Sequence, residues 1–345
     1  FKKNEIEKVF KKLGEKKYSM LIDPYITSEF IYSKAILSDI NVKFNDDLII
    51  KSKSIKNLTE IKGSINAHIK DGIAMCKFLY WFNEENKSSI TELDVVEKIN
   101  YLRSINDEFL CYSFPTIAGS GPNGSIIHYN PSKNSNRIIK KQDLLLLDSG
   151  GQYKDGTTDI TRTIIRSTPT IKIKRIYTLV LKGHLAISMA KFPSGTTGSY
   201  LDALARNNLW NNKLNYNHGT GHGVGHCLNV HEGPQSISAN NKIPLQEGMI
   251  VSNEPGYYYD NKYGIRIENL VYIKKICEQD KEKFNFMKVE TLTKVPYERR
   301  LIEKNMLNNN EIQWINSYHA QTYKIISPYL NKHEKYWLKA SCQKL

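Results

Sequence analysis

Long apolar runs are missing from this chain. No apolar stretch approaches 18 residues and mean hydropathy is −0.48, so no membrane span and no membrane partner is expected. Cysteine is scarce. The five (Cys76, Cys111, Cys227, Cys277, Cys342) are odd in number, widely spaced and without a CxxC pair, which fits a reducing, cytoplasmic compartment. Basic blocks are missing too. The 49 Lys and Arg outnumber 35 Asp and Glu, giving a net charge of +14, but the lysines are scattered and no aromatic-interleaved stripe accompanies them. That pattern is a solvated surface, and no nucleic-acid partner is expected. Neither a repeat nor a low-complexity stretch is visible. Residues Phe1 to Lys17 are charged without an apolar core, so no signal peptide is read there. The chain opens on Phe, which suits a processed product or a fragment of something longer.

What is present is an ordinary globular balance, 40% hydrophobic and 24% charged in 345 residues, enough for two or three units. Residues 1–55 read as a small α/β piece. Ile6, Val9, Phe10 and Leu13 lie at helical spacing, Ser19 to Ile22 reads as a buried strand, and a second helix is expected over 26–37. Asn57 and Glu60 have capping-box spacing, and Ile61, Ile65, Ile69, Ile73, Cys76 and Leu79 form one helical stripe behind them. Another helix is predicted from Ser89–Glu92, carrying Leu93, Val96, Ile99 and Leu102. Strands are expected at 144–147 and 161–165, helices at 171–192 and 198–209, and strands at 229–231, 248–253 and 264–273. Residues 302–345 read helical. Helices then strands, twice over, is a duplicated α/β plan rather than a simple βαβ alternation. His68 and His184 fall on helices and read as packed or solvated; Met75 and Cys76 read as core.

Three constellations carry chemistry. In LLLLDSGGQYKDGTTDITRT, Asp148 ends an apolar strand and Asp159 precedes a second one, so a hairpin brings both carboxylates to one end of a sheet. Taken alone, either is as readily a turn residue. HGTGHGVGHCLNVHEGP packs His218, His222, His226 and His231 into fourteen residues, with glycines that let the backbone approach a bound centre. His226 reads as the bystander. Glu254 in SNEPGYY stands fourteen residues before Glu268 in GIRIEN. Alternation there buries Ile265 and Ile267 on one face and turns Arg266 and Glu268 to the other. A carboxylate so placed is costly unless paired or bound to metal, a plain Arg–Glu pair being the competing reading. Together, four carboxylates and a neutral imidazole balance two divalent cations; without cations the carboxylates would repel. Such a ligand set favours Mn, Fe, Co or Zn over an all-thiolate zinc site.

These motifs resemble the pita-bread metallopeptidase family, which includes aminopeptidase P, prolidase and methionine aminopeptidase. DSGGQYKDGTTDITRT, HGTGHGVGHCLNVHEGP, MIVSNEPGYY and GIRIEN resemble most the long, three-domain Xaa-Pro aminopeptidase branch, as do TEIKGSINAHIKDG and FPTIAGSGPNGSIIHY. The resemblance implies an α/β (α+β) chain with the pita-bread fold: pseudo-twofold duplicated halves around a curved antiparallel sheet. It implies a remnant of a creatinase-like domain at 1–55, a catalytic domain at 56–300 and a small C-terminal domain at 301–345, similar to a dimerisation module, so a homodimer is expected. It implies two divalent metal ions, Mn2+ first, with Zn2+ or Co2+ as alternatives. Asp148 would hold one; Asp159 and Glu268 would bridge both; His222 and Glu254 would hold the other. His128, His218 and His231 would position substrate and stabilise developing charge, Glu254 would shuttle a proton, and Arg266 and Tyr258 would support the ligands. The implied activity is removal of the first residue from peptides with proline second. Prolidase action on dipeptides, and a catalytically silent binding protein, are the alternatives. The closing SCQKL departs from the branch's usual Thr-x-Pro-Leu, and 1–55 resembles only the end of one of the two domains that precede catalysis in the long form.

Overall fold

The computed structural model describes residues 5–85, 89–276 and 285–345; Cys277 and Phe1 to Asn4 lie outside them. The chain divides into two compact units, Phe1–Lys53 and Ser54–Leu345.

In the first unit, helices Ile6–Glu15 and Glu29–Leu37 accompany two parallel strands, Ser19–Ile22 and Asn41–Phe44. The second helix starts at Glu29 rather than Ile26 because the Ser28 hydroxyl accepts the amide proton of Ile31 and so sets the first turn. The core is small, with Phe10, Ile22, Ala35 and Ile40 at its centre. Only Ile22 of its strand is buried, since a two-stranded sheet offers little cover.

The second unit opens on the helix Leu58–Glu84, whose first turn is closed by the expected capping box between Asn57 and Glu60. The isoleucine stripe is its half-buried flank. The deeply buried face runs through Ala67, Met75, Phe78 and Phe82, with His68 packed among them. This face even takes in Asp71, held by two nitrogens of Arg103 at 2.7 and 3.1 Å. Arg103 comes from the next helix, Glu92–Ser104, which buries Val95 and Ile99 rather than Leu93 and Val96. An antiparallel sheet follows, with Leu144–Ser149 between Ile117–Ser120 and Ile160–Ile165.

The plan then repeats. Helices Ile171–Ser188 and Gly198–Trp210 precede a four-stranded antiparallel sheet, in the order Ile250–Asn253, Asn269–Lys275, Phe286–Thr291, Lys191–Pro193. The first of these helices ends four residues before the expected Phe192. That ring belongs to the edge strand, where it is buried with Met287 and Val289. Two further expectations fail. Residues 229–231 form no strand; the segment is a loop closed by Glu232 N–H donating to Gly223 O at 2.8 Å. The strand expected over 264–273 is two, Tyr263–Arg266 pairing with Gly256–Tyr259 and Asn269–Lys275 pairing with Ile250–Asn253. In the break, the amide of Glu268 donates instead to Thr161 O of the first sheet at 3.1 Å. The alternation nevertheless holds, with Ile265 and Ile267 fully buried.

The two-stranded pair Gly256–Tyr259 and Tyr263–Arg266 joins the first sheet along this seam. Thr163 Oγ1 accepts from the amide of Arg266 at 3.0 Å and donates to its carbonyl at 2.9 Å. Helices Asn309–Ile326 and Lys332–Ser341 close the chain, each with a capping box. Ile315 and Tyr318 share one core with Tyr177 and Leu181, so the end of the chain packs against the helix Ile171–Ser188.

Candidate metal centre

Asp148 lies opposite Thr161 in the first sheet, and Asp159 directly precedes the strand Ile160–Ile165. The hairpin therefore sets both carboxylates at one end, as the apolar-strand and turn pattern predicts. Glu254 follows the strand Ile250–Asn253, and Glu268 sits in the seam break. His222 ends the short strand Gly221–His222, and its amide donates to Ser252 Oγ at 2.8 Å. All five residues line one cavity of about 470 Å³. Ligand atoms of Asp159, His222 and Glu268 lie within 4.8 Å of one another.

The imidazole of His222 has a defined tautomer. Its Nδ1 stands 3.0 Å from the carbonyl of Gly223, which only accepts, so Nδ1 carries the proton. Its Nε2 points at Asp159 Oδ2 and Glu254 Oε1, each at 3.4 Å. A cation held between these three groups would satisfy them together. The carboxylates say the same. Asp148 Oδ1, Asp159 Oδ1 and Glu268 Oε1 are buried without a hydrogen-bond donor. Burial raises Asp159 well above the usual carboxylate range, and Asp148 and Glu254 add to it. Glu268 is raised by burial and then by Asp159, and Glu254 by burial. A donor set of oxygens and one imidazole, with oxygen lone pairs unspent, fits divalent cations.

The remaining lone pairs are placed by neighbours. Thr161 Oγ1 donates to Glu268 Oε2 at 2.8 Å, and Ser252 Oγ donates to Glu254 Oε1 at 2.8 Å. Neither hydroxyl was among the expected residues. Each lies two positions from a candidate ligand that flanks its strand, a spacing legible in TDIT and SNE. Arg266 donates to Asp148 Oδ2 at 2.7 Å and to the Tyr258 hydroxyl at 2.6 Å. It is paired with Asp148, not with Glu268.

The histidines separate in position. His231 stands with its ring centroid 4.1 Å from that of His222, open to the cavity. Its pKa is lowered to about 4 by desolvation, then by His222 and His128, so it is neutral near pH 7. His128 lies exposed on the cavity wall. His218 also lines the cavity, but both its nitrogens are engaged: Nδ1 donates to Gly219 O at 2.8 Å, and Nε2 accepts from the Tyr258 hydroxyl at 2.9 Å. Desolvation lowers it to about 4. His226 turns away to Ser64 Oγ, 3.3 Å from its Nδ1. Phe114, Pro115, Ile117, Ile127 and Val230 supply an apolar wall beside the polar atoms.

Comparison with known proteins adds to this geometry. Residues 64–275 match metallopeptidase family M24, and residues 285–345 match the C-terminal region of peptidase M24. Aminopeptidase P2 of Arabidopsis thaliana is 48% identical over 286 residues, covering 81% of this chain and 40% of that protein. The probable Xaa-Pro aminopeptidase P of Laccaria bicolor is 47% identical over 304 residues, covering 85% and 47%. The chain thus spans less than half the length of these relatives. The X-prolyl aminopeptidase of Caenorhabditis elegans, described as a cytosolic enzyme with a di-nuclear active site, superposes with a TM-score of 0.91 at 36% identity, over 99% of this chain and 57% of that one. The fold is that of the pita-bread enzymes, with mixed helix and sheet.

Proposed function

The chain belongs to metallopeptidase family M24, and on that premise we propose that it is a dinuclear-metal aminopeptidase that cleaves the N-terminal Xaa-Pro bond of peptides. The observation that carries the reading is the convergence of Asp148, Asp159, His222, Glu254 and Glu268 on one cavity, with buried carboxylate oxygens lacking donors. Asp148 would hold one cation, His222 and Glu254 the other, and Asp159 and Glu268 would bridge them; manganese is the expected metal, with zinc or cobalt as alternatives. Cations bound there polarise a carbonyl and lower the pKa of water toward neutrality.

The chain's own groups do the rest. Glu254 keeps one oxygen under the Ser252 hydroxyl, while its Oε2 lies 4.0 Å from Arg266 Nε. That carboxylate takes the proton of the attacking water and passes it to the leaving nitrogen. Neutral His231 donates a hydrogen bond to the scissile carbonyl oxygen as charge builds on it. His128 lies on the same wall, within the cavity where the substrate backbone must run. With both nitrogens committed, His218 serves as a fixed wall rather than a donor. The bond before proline lacks an N–H, so the site has no donor to satisfy and needs only apolar cover for the ring. Phe114, Pro115, Ile117 and Val230 offer it.

Within this reading residues 1–55 are a remnant of a preceding domain, 56–300 the catalytic domain and 301–345 a C-terminal domain through which two copies pair, in the cytoplasm. A prolidase reading has an observation behind it too. The prolidase of Pyrococcus furiosus superposes with a TM-score of 0.69 at 29% identity, covering 86% of this chain. Turnover of Ala-Pro, Ala-Pro-Ala and Met-Ala-Ser with Mn2+ or Zn2+ added separates the cases. Cleavage of Ala-Pro-Ala supports the aminopeptidase; cleavage of Ala-Pro alone assigns a prolidase; cleavage of none, with RNA bound in a salt-sensitive way, would return the silent binding protein.

A further inference from the structure

The helix Gly198–Trp210 buries an acid and a base one turn apart, Asp202 and Arg206. Arg206 Nε donates to Asp202 Oδ2 at 2.8 Å. A buried ion pair is weak evidence for stability, because desolvating both charges offsets their attraction. What this pair touches is more telling. Asp202 Oδ1 accepts from Thr220 Oγ1 at 2.6 Å. That hydroxyl, its proton committed, accepts in turn from the Tyr216 hydroxyl at 2.5 Å. Arg206 spends its other nitrogens on the carbonyls of Tyr216 at 2.7 Å and His218 at 2.6 Å, with its guanidinium 4.0 Å from the Tyr216 ring centroid. Residues 216–220 are therefore held at both their side chains and their carbonyls by one helix turn.

Thr220 is the centre of this clamp. It is fully buried and lies two residues before His222. Its carbonyl accepts the amide proton of Glu254 at 2.8 Å. A shift of Thr220 thus moves the imidazole through the chain and the carboxylate through a hydrogen bond. Asp148 hangs from the other sheet, fixed directly by Arg266, and is linked to residues 216–220 by the longer chain from His218 through Tyr258 and Arg266 rather than by the Thr220 hydroxyl.

We propose that Asp202, acting through the Thr220 hydroxyl, is a positioning residue for the His222–Glu254 half of the centre. The clamp sets the affinity of the cation those two ligands hold and leaves the cation at Asp148 to the other sheet. This rests on the two-cation reading above.

The test is a calorimetric titration of the metal-stripped full chain with Mn2+, for the wild type, Thr220→Val and Thr220→Ser. Valine keeps the shape and removes the hydroxyl; serine keeps the hydroxyl. Loss of a hydrogen bond made directly to a metal ligand typically costs about 10- to 100-fold in metal affinity, and the Thr220 hydroxyl stands one link further out, so the lower end, about 10-fold, applies. The expected result is one of two binding steps weakened by about that factor in Thr220→Val, the other unchanged, with Thr220→Ser close to the wild type. Should the valine variant not fold, Thr220→Ala gives the same readout without added bulk. Both steps at wild-type affinity in Thr220→Val or Thr220→Ala would overturn the proposal. So would equal weakening of both steps with no rescue by serine, which is the mark of general loosening. A wild-type chain that takes up no Mn2+ would overturn the two-cation reading and this proposal with it, so the two failures are told apart by the wild-type trace.

Discussion

His222 Nε2 faces Asp159 Oδ2 at 3.4 Å while its Nδ1 donates to Gly223 O. Around that contact Asp159, Glu254 and Glu268 are all raised, by burial first and then by neighbouring carboxylates. Above the ordinary carboxylate range the metal-free fold therefore holds more protons than the unfolded chain, and these groups cost it stability as pH rises. Cations displace those protons. The rise in melting temperature on adding Mn2+ should be larger at pH 8 than at pH 6. A pH-independent rise, or none, measured by thermal unfolding would speak against cation binding by these carboxylates.

Removing a bridging charge should abolish the centre rather than trim it. Asp159→Asn and Glu268→Gln are expected to lose activity and metal together. Emission analysis showing two metals retained, with full turnover, would refute the bridging role.

His231 and His218 should behave differently despite lining the same cavity. His231→Ala is expected to keep its metal and to lower kcat by about 10²–10³, as loss of one oxyanion donor does. His218→Ala should cost less, because Tyr258 and Gly219 already occupy both its nitrogens. Undiminished kcat in His231→Ala would remove that residue from the mechanism.

Acid should unfold the chain through buried histidines that do not line the cavity. Burial lowers His68 to about 4, and His184 and His319 to about 3. Each is neutral in the fold and titrates near 6.5 when unfolded, so its contribution is complete above that value and is lost as pH falls below it. At pH 5 each such group costs about 2 kcal/mol by linkage. His319 Nε2 accepts from the amide of Tyr297 at 3.1 Å, a bond an amide oxygen can replace. His319→Gln should flatten the pH dependence of stability between pH 7 and 5, by about a quarter of a proton at pH 7 and close to one at pH 5; an unchanged slope in denaturant titrations would contradict this.

The site was more legible in the sequence than the fold around it. Asp148, Asp159, His222, Glu254 and Glu268 stand out because metal chemistry demands particular residue types, and their glycine-rich and apolar flanks mark where strands end. The break at Ile267 and Glu268 was hidden, because both residues alternate as a strand should; only the Thr161 carbonyl, from the opposite sheet, explains it. His231 sits on a loop where strand spacing was read, since backbone bonds within 223–232 outweigh the local pattern. Asp202 and Arg206 look like an exposed i,i+4 pair on a polar helix. Their burial against Thr220 is a tertiary fact with no local signature. The partner of His218 was hidden for a similar reason, because Tyr258 reaches its Nε2 from forty residues away.

Anomalous diffraction from crystals of the full chain grown with manganese tests the central claim most directly. Two peaks about 3.5–4 Å apart are expected, with Asp159 and Glu268 touching both, Asp148 one, and His222 and Glu254 the other. A cavity with no peak, or a single ion that Asp159 and Glu268 do not share, would contradict the account.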